Sequence, residues 1–108
     1  MRVMADASKM LSSLGLCVKA GKVIFGVPMI CEAMRKRAAN APVLVLEASD
    51  TSENTHKKLT DKCTYYKTPL IRLEVGGEQL AAAVGKSAHL GAVAITDRGL
   101  SALIEKNI

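Results

Sequence analysis

The stretch Lys-Ala-Gly-Lys-Val-Ile-Phe-Gly-Val-Pro, residues 19–28, predicts a basic helix end, a short apolar strand and a glycine that opens a second helix. A helix start presents backbone N–H groups without intrahelical partners at the positive end of the helix dipole, and such groups suit phosphate. Because Lys19 and Lys22 lie close to this helix start, the segment predicts an anion-binding corner. The backbone of a nucleic acid is the polyanion that fits such a corner best.

Helical patterns and short apolar runs alternate on both sides of this segment. The preceding helix is predicted from about Asp6 to Ala20, and the following helix runs from Pro28 to about Asn40. The remaining predicted elements are strands over 23–25, 43–46, 70–73 and 92–95, and helices over 53–67, 77–84 and from 96 onward. Such alternation predicts a central sheet with helices on both faces, which is one α/β/α domain over residues 1–108.

The acidic residues and the two histidines are predicted to have structural roles rather than metal-binding ones. Asp50 and Glu53 have capping-box spacing before the third helix, and Glu47 is also predicted to be a cap or an exposed charge. His56 is predicted on a solvated helix face, and His89 is predicted in a loop, where it contacts RNA or nothing. Neither histidine has another candidate ligand at metal spacing, so no metal site is expected.

The composition narrows the class of protein. The 108 residues include 15 Lys and Arg against 10 Asp and Glu, a net charge of +5 that favours polyanionic partners but also keeps a small protein in solution. Phe25, Tyr65 and Tyr66 are too few rings for an aromatic stacking platform. The three cysteines form no C-x-x-C pair, and no membrane span or signal peptide is evident. Reduced thiols and a cytoplasmic location are expected.

Nucleotide-binding and catalytic motifs are not matched. Five residues rather than four separate Gly15 from Gly21, and Val23 stands where a phosphate loop needs Ser or Thr. The second Gly-Lys pair, Gly85-Lys86, has Leu80 at the position of the first glycine, and a helix precedes it where a strand is needed. With no G-x-S-x-G elbow and no cofactor fingerprint, neither enzymatic activity nor a cofactor is expected.

Basic residues offer candidates for phosphate contact. The run Arg35-Lys36-Arg37 is typical of a solvated helix end, where cations complement the dipole, but Lys36 falls roughly on the face that continues from the helix entrance. Lys22 and Lys86 each border a loop beside a glycine. Both loops are expected at one edge of the sheet, where binding sites of alternating α/β folds gather.

The order of these motifs resembles a known family. Residues 51–58 and 60–66 look like the S-E-N-T…T-D-K-C-x-Y-Y signature of the bacterial YlxQ-type branch of the kink-turn-binding ribosomal protein superfamily, the L7Ae/L30e type. Residues 14–22 and 80–97 agree with it in order and spacing, so the resemblance covers nearly the whole chain. It implies a three-layer α/β/α sandwich with a four-stranded mixed sheet. It also implies RNA binding through the loop that opens the second helix and the loop before the last strand.

The first of these loops departs from the family pattern. Kink-turn binders read G-T-N-E with a lysine shortly after, whereas Gly26 is followed here by Val27, Pro28 and Met29, and Glu32 stands in the lysine's place. Asn and Glu side chains can hydrogen-bond base edges, but Pro and Met side chains cannot. Reading of RNA backbone and shape is therefore expected rather than ordinary kink-turn recognition.

Non-enzymatic binding of structured RNA, ribosomal or translation-associated, is the function that these observations favour. Lysines would neutralise phosphates and Gly26 would allow close approach of the backbone. The predicted RNA-binding residues are Lys22, Gly26, Val27, Pro28, Lys36, Lys86, Ser87 and His89.

The alternative is a protein-interaction module that kept the fold and lost kink-turn specificity. Val27, Pro28, Met29 and Leu90 would then form an apolar surface for a ribosomal protein or a protein of transcription or translation. No membrane partner is expected.

Overall fold

A computed structural model describes residues 2–3, 8–36 and 41–106. The predicted starting residue Asp6, the predicted helix end at Asn40 and the basic residue Arg37 lie outside this part of the chain. The elements are β1 (Arg2–Val3), α1 (Ser8–Lys19), β2 (Val23–Phe25), α2 (Val27–Lys36), β3 (Leu44–Glu47), α3 (Glu53–Tyr65), β4 (Leu70–Arg72), α4 (Gly77–Ala83), β5 (Ala92–Ile95) and α5 (Arg98–Lys106).

The strands form one mixed sheet in the order β1-β4-β3-β5-β2. β3 pairs parallel with β4, and β5 pairs antiparallel with both β3 and β2. These strands make the four-stranded mixed sheet that the resemblance implied, and the two-residue β1 extends it at the β4 edge. Every residue of β3 and β5 is buried, as expected for central strands covered on both faces.

Helices cover both faces of the sheet, which confirms the α/β/α layering. α1 packs against α4 and α5 on one face, and α2 packs against α3 on the other. Leu44 and Leu46 point into the first core while Val45 points into the second, because successive strand residues face opposite sides. The largest partners of the first core are Met10, Leu14, Ile71, Leu80 and Ile104, and those of the second are Ile30, Met34, Leu59 and Cys63.

The strand directions decide where the connections lie. β2, β3 and β4 run in the same direction, and α2, α3 and α4 begin just after their carboxyl ends. The turns before these helices therefore gather at one end of the sheet, together with the loop that enters β5. We call this the groove end, because the candidate site is a groove that opens there. α2 and α3 finish at the opposite end, where β2 begins.

The three cysteine thiols differ in burial. Cys17, Cys31 and Cys63 are free, and burial raises the pKa of Cys63 to about 12 and also raises that of Cys17. These two buried thiols therefore stay protonated near neutral pH. Within the described ranges, no helix combines the length and hydrophobicity needed to cross a membrane.

Candidate nucleic-acid interface

A groove of about 460 Å³ opens at the groove end of the molecule. Its walls come from the turn before α2, from the turn and first residues of α3, and from the loop that enters β5. The residues that line it are Gly26, Val27, Pro28, Asp50, Thr51, Ser52, Thr55, Lys58, His89, Leu90 and Gly91. The fold thus brings together four of the predicted site residues and adds a wall from α3 that the sequence-based interpretation did not include.

The α2 wall begins at a glycine that the backbone requires. Gly26 has φ +87°, a backbone conformation that residues with a side chain rarely adopt. Its N–H donates to the Ala92 carbonyl over 3.0 Å. The first helical bond of α2 runs from Ile30 N to Gly26 O over 3.1 Å. The amides of Val27 and Met29 precede this bond, so they are donors that the helix itself does not use, whereas Pro28 offers none.

Asp50 ties the α3 wall to the rest of the groove. Its Oδ1 accepts the backbone N–H of Gly77 at 2.9 Å, and its Oδ2 lies 3.3 Å from His89 Nε2. The Gly77 N–H, and secondarily His89, lower the pKa of the Asp50 carboxyl. The capping prediction was wrong here: Ser52 caps α3 by accepting the Thr55 N–H at 3.2 Å, and Asp50 instead binds the start of α4.

Gly77 is required because the β5 loop packs directly on it. A Cβ at this position would lie 2.5 Å from the Leu90 carbonyl oxygen and closer still to the His89 imidazole. Leu90 N donates to Gly77 O over 3.1 Å, which fixes the loop on the helix. The glycine thus sets the position of the wall that carries His89.

The Asp50 contacts give an expected pH dependence. Because the folded-state pKa is lowered, Asp50 contributes stability above its ordinary value of 3.8, and this contribution is lost as the pH falls from there through the lowered value. Asp50→Asn should therefore be less stable than the wild type at neutral pH and should lose less stability on acidification. Urea unfolding at a series of pH values tests this, and parallel pH profiles for the two proteins would contradict it.

A buried polar cluster lies beneath the α3 wall. Glu47 is fully buried at the end of β3; its Oε1 lies 2.8 Å from His56 Nδ1, and its Oε2 accepts the Thr51 hydroxyl at 2.6 Å. The predictions of an exposed Glu47 and a solvated His56 were therefore wrong. Glu47 lies on a central strand that pairs on both sides, and Thr51 and His56 contact its carboxylate on the α3 face of the sheet.

Two of the predicted phosphate-binding lysines lie away from the groove. Lys22 O accepts from Thr96 N beyond the end of β5, whereas Gly26 pairs with Ala92 at its start, so Lys22 lies at the opposite end of β2. Lys36 lies roughly 12 Å along the α2 axis from Pro28, and its Nζ is 3.8 Å from Glu32. The prediction that both basic loops lie at one edge of the sheet is therefore wrong for Lys22. Lys36 continues the helix face that starts at Pro28, but it lies too far along α2 to reach the groove.

Lys86 stays close to the groove without lining it. Its Nζ lies 4.5 Å from the centroid of the Phe25 ring, a cation–π contact beside Gly26. Lys86 and Ser87 are both exposed in the loop that continues into His89. The apolar surface predicted for a protein partner is smaller than expected, because Val27 and Leu90 pack partly into the two cores. Pro28 and Met29 remain exposed.

The groove has hydrogen-bond donors that suit an anion. Among the described residues, no group of three or more His, Cys, Asp or Glu side chains is arranged to hold a metal ion. Lys58 and the first backbone amides of α2 supply donors at the groove. The hydroxyls of Thr51 and Ser52 already donate within the protein, and the Asp50 carboxylate is engaged by Gly77 and His89. This arrangement can bind an extended anionic chain.

Comparison with known sequences identifies relatives across almost the whole chain. The profile of the ribosomal protein L7Ae/L30e/S12e/Gadd45 family matches residues 8–105. The RNA-binding protein YlxQ of Bacillus subtilis (strain 168) is 41% identical over 88 residues, which span 82% of this chain and 83% of that protein. The protein of the same name from Enterococcus faecium is 37% identical over 68 residues, which cover 63% of each chain.

Solved structures share the same architecture. A protein of unknown function from Bacillus halodurans C superimposes with a TM-score of 0.80 and 30% identity, over 91% of this chain and 94% of that one. The Giardia lamblia 15.5kD RNA binding protein superimposes with a TM-score of 0.75 over 93% of this chain and 82% of that one. At 14% identity, the second likeness concerns the fold alone.

Proposed function

Because the chain belongs to the ribosomal protein L7Ae/L30e/S12e/Gadd45 family, we propose that it binds structured RNA, ribosomal or translation-associated, and catalyses no reaction. The observation that carries this proposal is the groove at the carboxyl ends of β2 and β3, where the turns before α2 and α3 meet the loop that enters β5. Two relatives that match much of the chain bear the name RNA-binding protein.

The groove would hold the RNA by its backbone. Lys58 lines the groove and Lys86 lies beside it, so both can neutralise phosphates. The amides of Val27 and Met29 donate hydrogen bonds to phosphate oxygens at the start of α2. Asp50 would otherwise repel phosphate, but the Gly77 N–H and His89 already occupy its two oxygens.

The contacts available favour recognition of shape over recognition of bases. The side chains of Pro28 and Met29 have no group that discriminates base edges, and Glu32 points along α2 to an ion pair with Arg35 at 2.6 Å. Hairpin RNAs of equal length and the same shape but different base sequence should therefore bind with similar affinity.

Reversing one groove charge should weaken RNA binding and its dependence on salt. Lys58→Glu removes a phosphate contact, so affinity should fall and the slope of log affinity against log salt should decrease in magnitude by about one. Fluorescence anisotropy with a labelled hairpin RNA at several salt concentrations measures both quantities.

The neighbouring position supplies the control. Lys57 is exposed on the same helix and does not line the groove, so Lys57→Glu changes the net charge equally. It should retain most of the affinity and the slope. Equal losses for the two variants, or an affinity insensitive to salt, would contradict binding in the groove.

A further inference from the structure

We propose that the opposite end of the molecule carries a second RNA contact, in which one unpaired base stacks on Tyr65 and its phosphate binds Lys67. This contact is separate from the groove of the proposed function, since Tyr65 is the last residue of α3 while the groove is formed at its first turns. It would take a single-stranded segment.

Tyr65 is placed as an exposed stacking surface. The residue is 71% exposed, the largest exposure among the large hydrophobic residues in the described part of the chain. Tyr66 packs edge-on against it, with ring centroids 4.8 Å apart and an interplanar angle of 84°. Tyr66 itself packs against the second core, so the exposed Tyr65 ring lies beside an anchored aromatic partner.

A shallow groove beside the ring has the chemistry of a base site. Its volume is about 360 Å³, and it contains no carboxylate. The lining residues are Met34, Ala41, Pro42, Tyr65, Tyr66, Lys67 and Thr68. The apolar walls suit the face of a base, while Lys67 supplies a cation and Thr68 a hydroxyl at its rim. The groove on the other side of Tyr65 includes Asp61, which disfavours an anionic chain there.

The backbone of Lys67 is the second observation that points to a ligand. It has φ +56° and is the single non-glycine residue with positive φ in the ranges that the structure describes. Thr68 N bonds Cys63 O over 2.8 Å and Lys67 N bonds Thr64 O over 3.3 Å, the hydrogen bonds of a helix end that normally carries glycine. In this backbone conformation a lysine makes the fold less stable than a glycine does, and binding of a phosphate by its side chain explains why lysine stands here.

The surrounding charge favours a polyanion. α2 and α3 end here, with Arg35, Lys36 and Lys62 in their last turns. The carboxylate of Glu32 is held by Arg35. Three aromatic rings are too few for a stacking platform, but a single ring suffices to hold a single base.

The chain offers a direct optical test of this contact. Both of its tyrosines lie at this site and it contains no tryptophan, so intrinsic fluorescence reports here alone. Titration with a single-stranded oligouridylate should quench the tyrosine emission to saturation. Tyr65→Phe keeps the ring and should retain the affinity, while Tyr65→Ala should lose roughly 5- to 150-fold, both measured by anisotropy of the labelled RNA. Unchanged emission, or equal affinity for the alanine variant, would overturn the proposal.

Variants at Lys67 separate binding from folding. Lys67→Gly should unfold at a higher urea concentration than the wild type and yet bind the oligouridylate more weakly, whereas Lys67→Arg should bind it normally. A glycine variant that binds as well as the wild type would overturn the role of Lys67. Lys58→Glu should leave the tyrosine quenching intact, so failure of this second contact can be told apart from failure of the groove.

Discussion

Replacing His56 by alanine is expected to destabilise the protein by about 1–3 kcal/mol, the loss typical of leaving a buried hydrogen-bonding group without its partner. His56 Nδ1 lies 2.8 Å from Oε1 of Glu47, which is completely buried. Without the imidazole, the Thr51 hydroxyl is the one side-chain partner that the structure gives the carboxylate. Urea unfolding at neutral pH measures the change in the free energy of unfolding.

The other histidine is the matched control. His89 lies 3.3 Å from Asp50, and both side chains are about half exposed, so His89→Ala should cost much less stability. Adding Glu47→Gln to His56→Ala should recover part of the loss, because the double variant has no unpaired charge at this site. Equal stability of the two single alanine variants would show that the Glu47 cluster does not hold α3 on the sheet.

Replacing Gly77 by alanine is expected to disturb the groove as well as the fold. The added methyl group would collide with the Leu90 carbonyl oxygen and the His89 ring, so the loop that enters β5 must move. Overpacking of this kind costs about 1–3 kcal/mol. Affinity for a structured RNA hairpin should fall more than stability alone explains, when binding is measured under conditions where the variant is fully folded.

Gly15 provides the comparison for this substitution. It lies inside α1, and a Cβ there would meet nothing within 4 Å. Gly15→Ala should therefore stabilise the protein by roughly 0.5–1 kcal/mol and leave RNA affinity unchanged. A Gly77→Ala variant that behaves in the same way would contradict the close packing of the β5 loop on α4.

Local patterns predict most of the elements because each pattern depends on nearby residues. The range 23–25 for β2 and the range 92–95 for β5 agree with the structure, and Asp97 caps α5 by accepting the Leu100 N–H at 3.0 Å. β1 was not predicted, since Arg2 and Val3 form too short a run to show any alternation.

The candidate site was harder to predict because it depends on long-range register. Gly26, Pro28 and His89 meet only because β2 and β5 pair antiparallel, and the same pairing sends Lys22 to the other end. Glu47 ends an apolar run, so its charge suggested exposure, whereas its place on a central strand under α3 buries it. Neither fact is present in the spacing of residues along the chain.

The groove is tested most directly by mapping backbone amide chemical shifts of the isotope-labelled protein during titration with a structured RNA hairpin. If RNA binds where we propose, the amides of residues 26–27, 50–52 and 89–91 shift together as the RNA saturates the protein. A saturating RNA that leaves these amides unmoved, while others shift, would show that the RNA binds elsewhere on the fold.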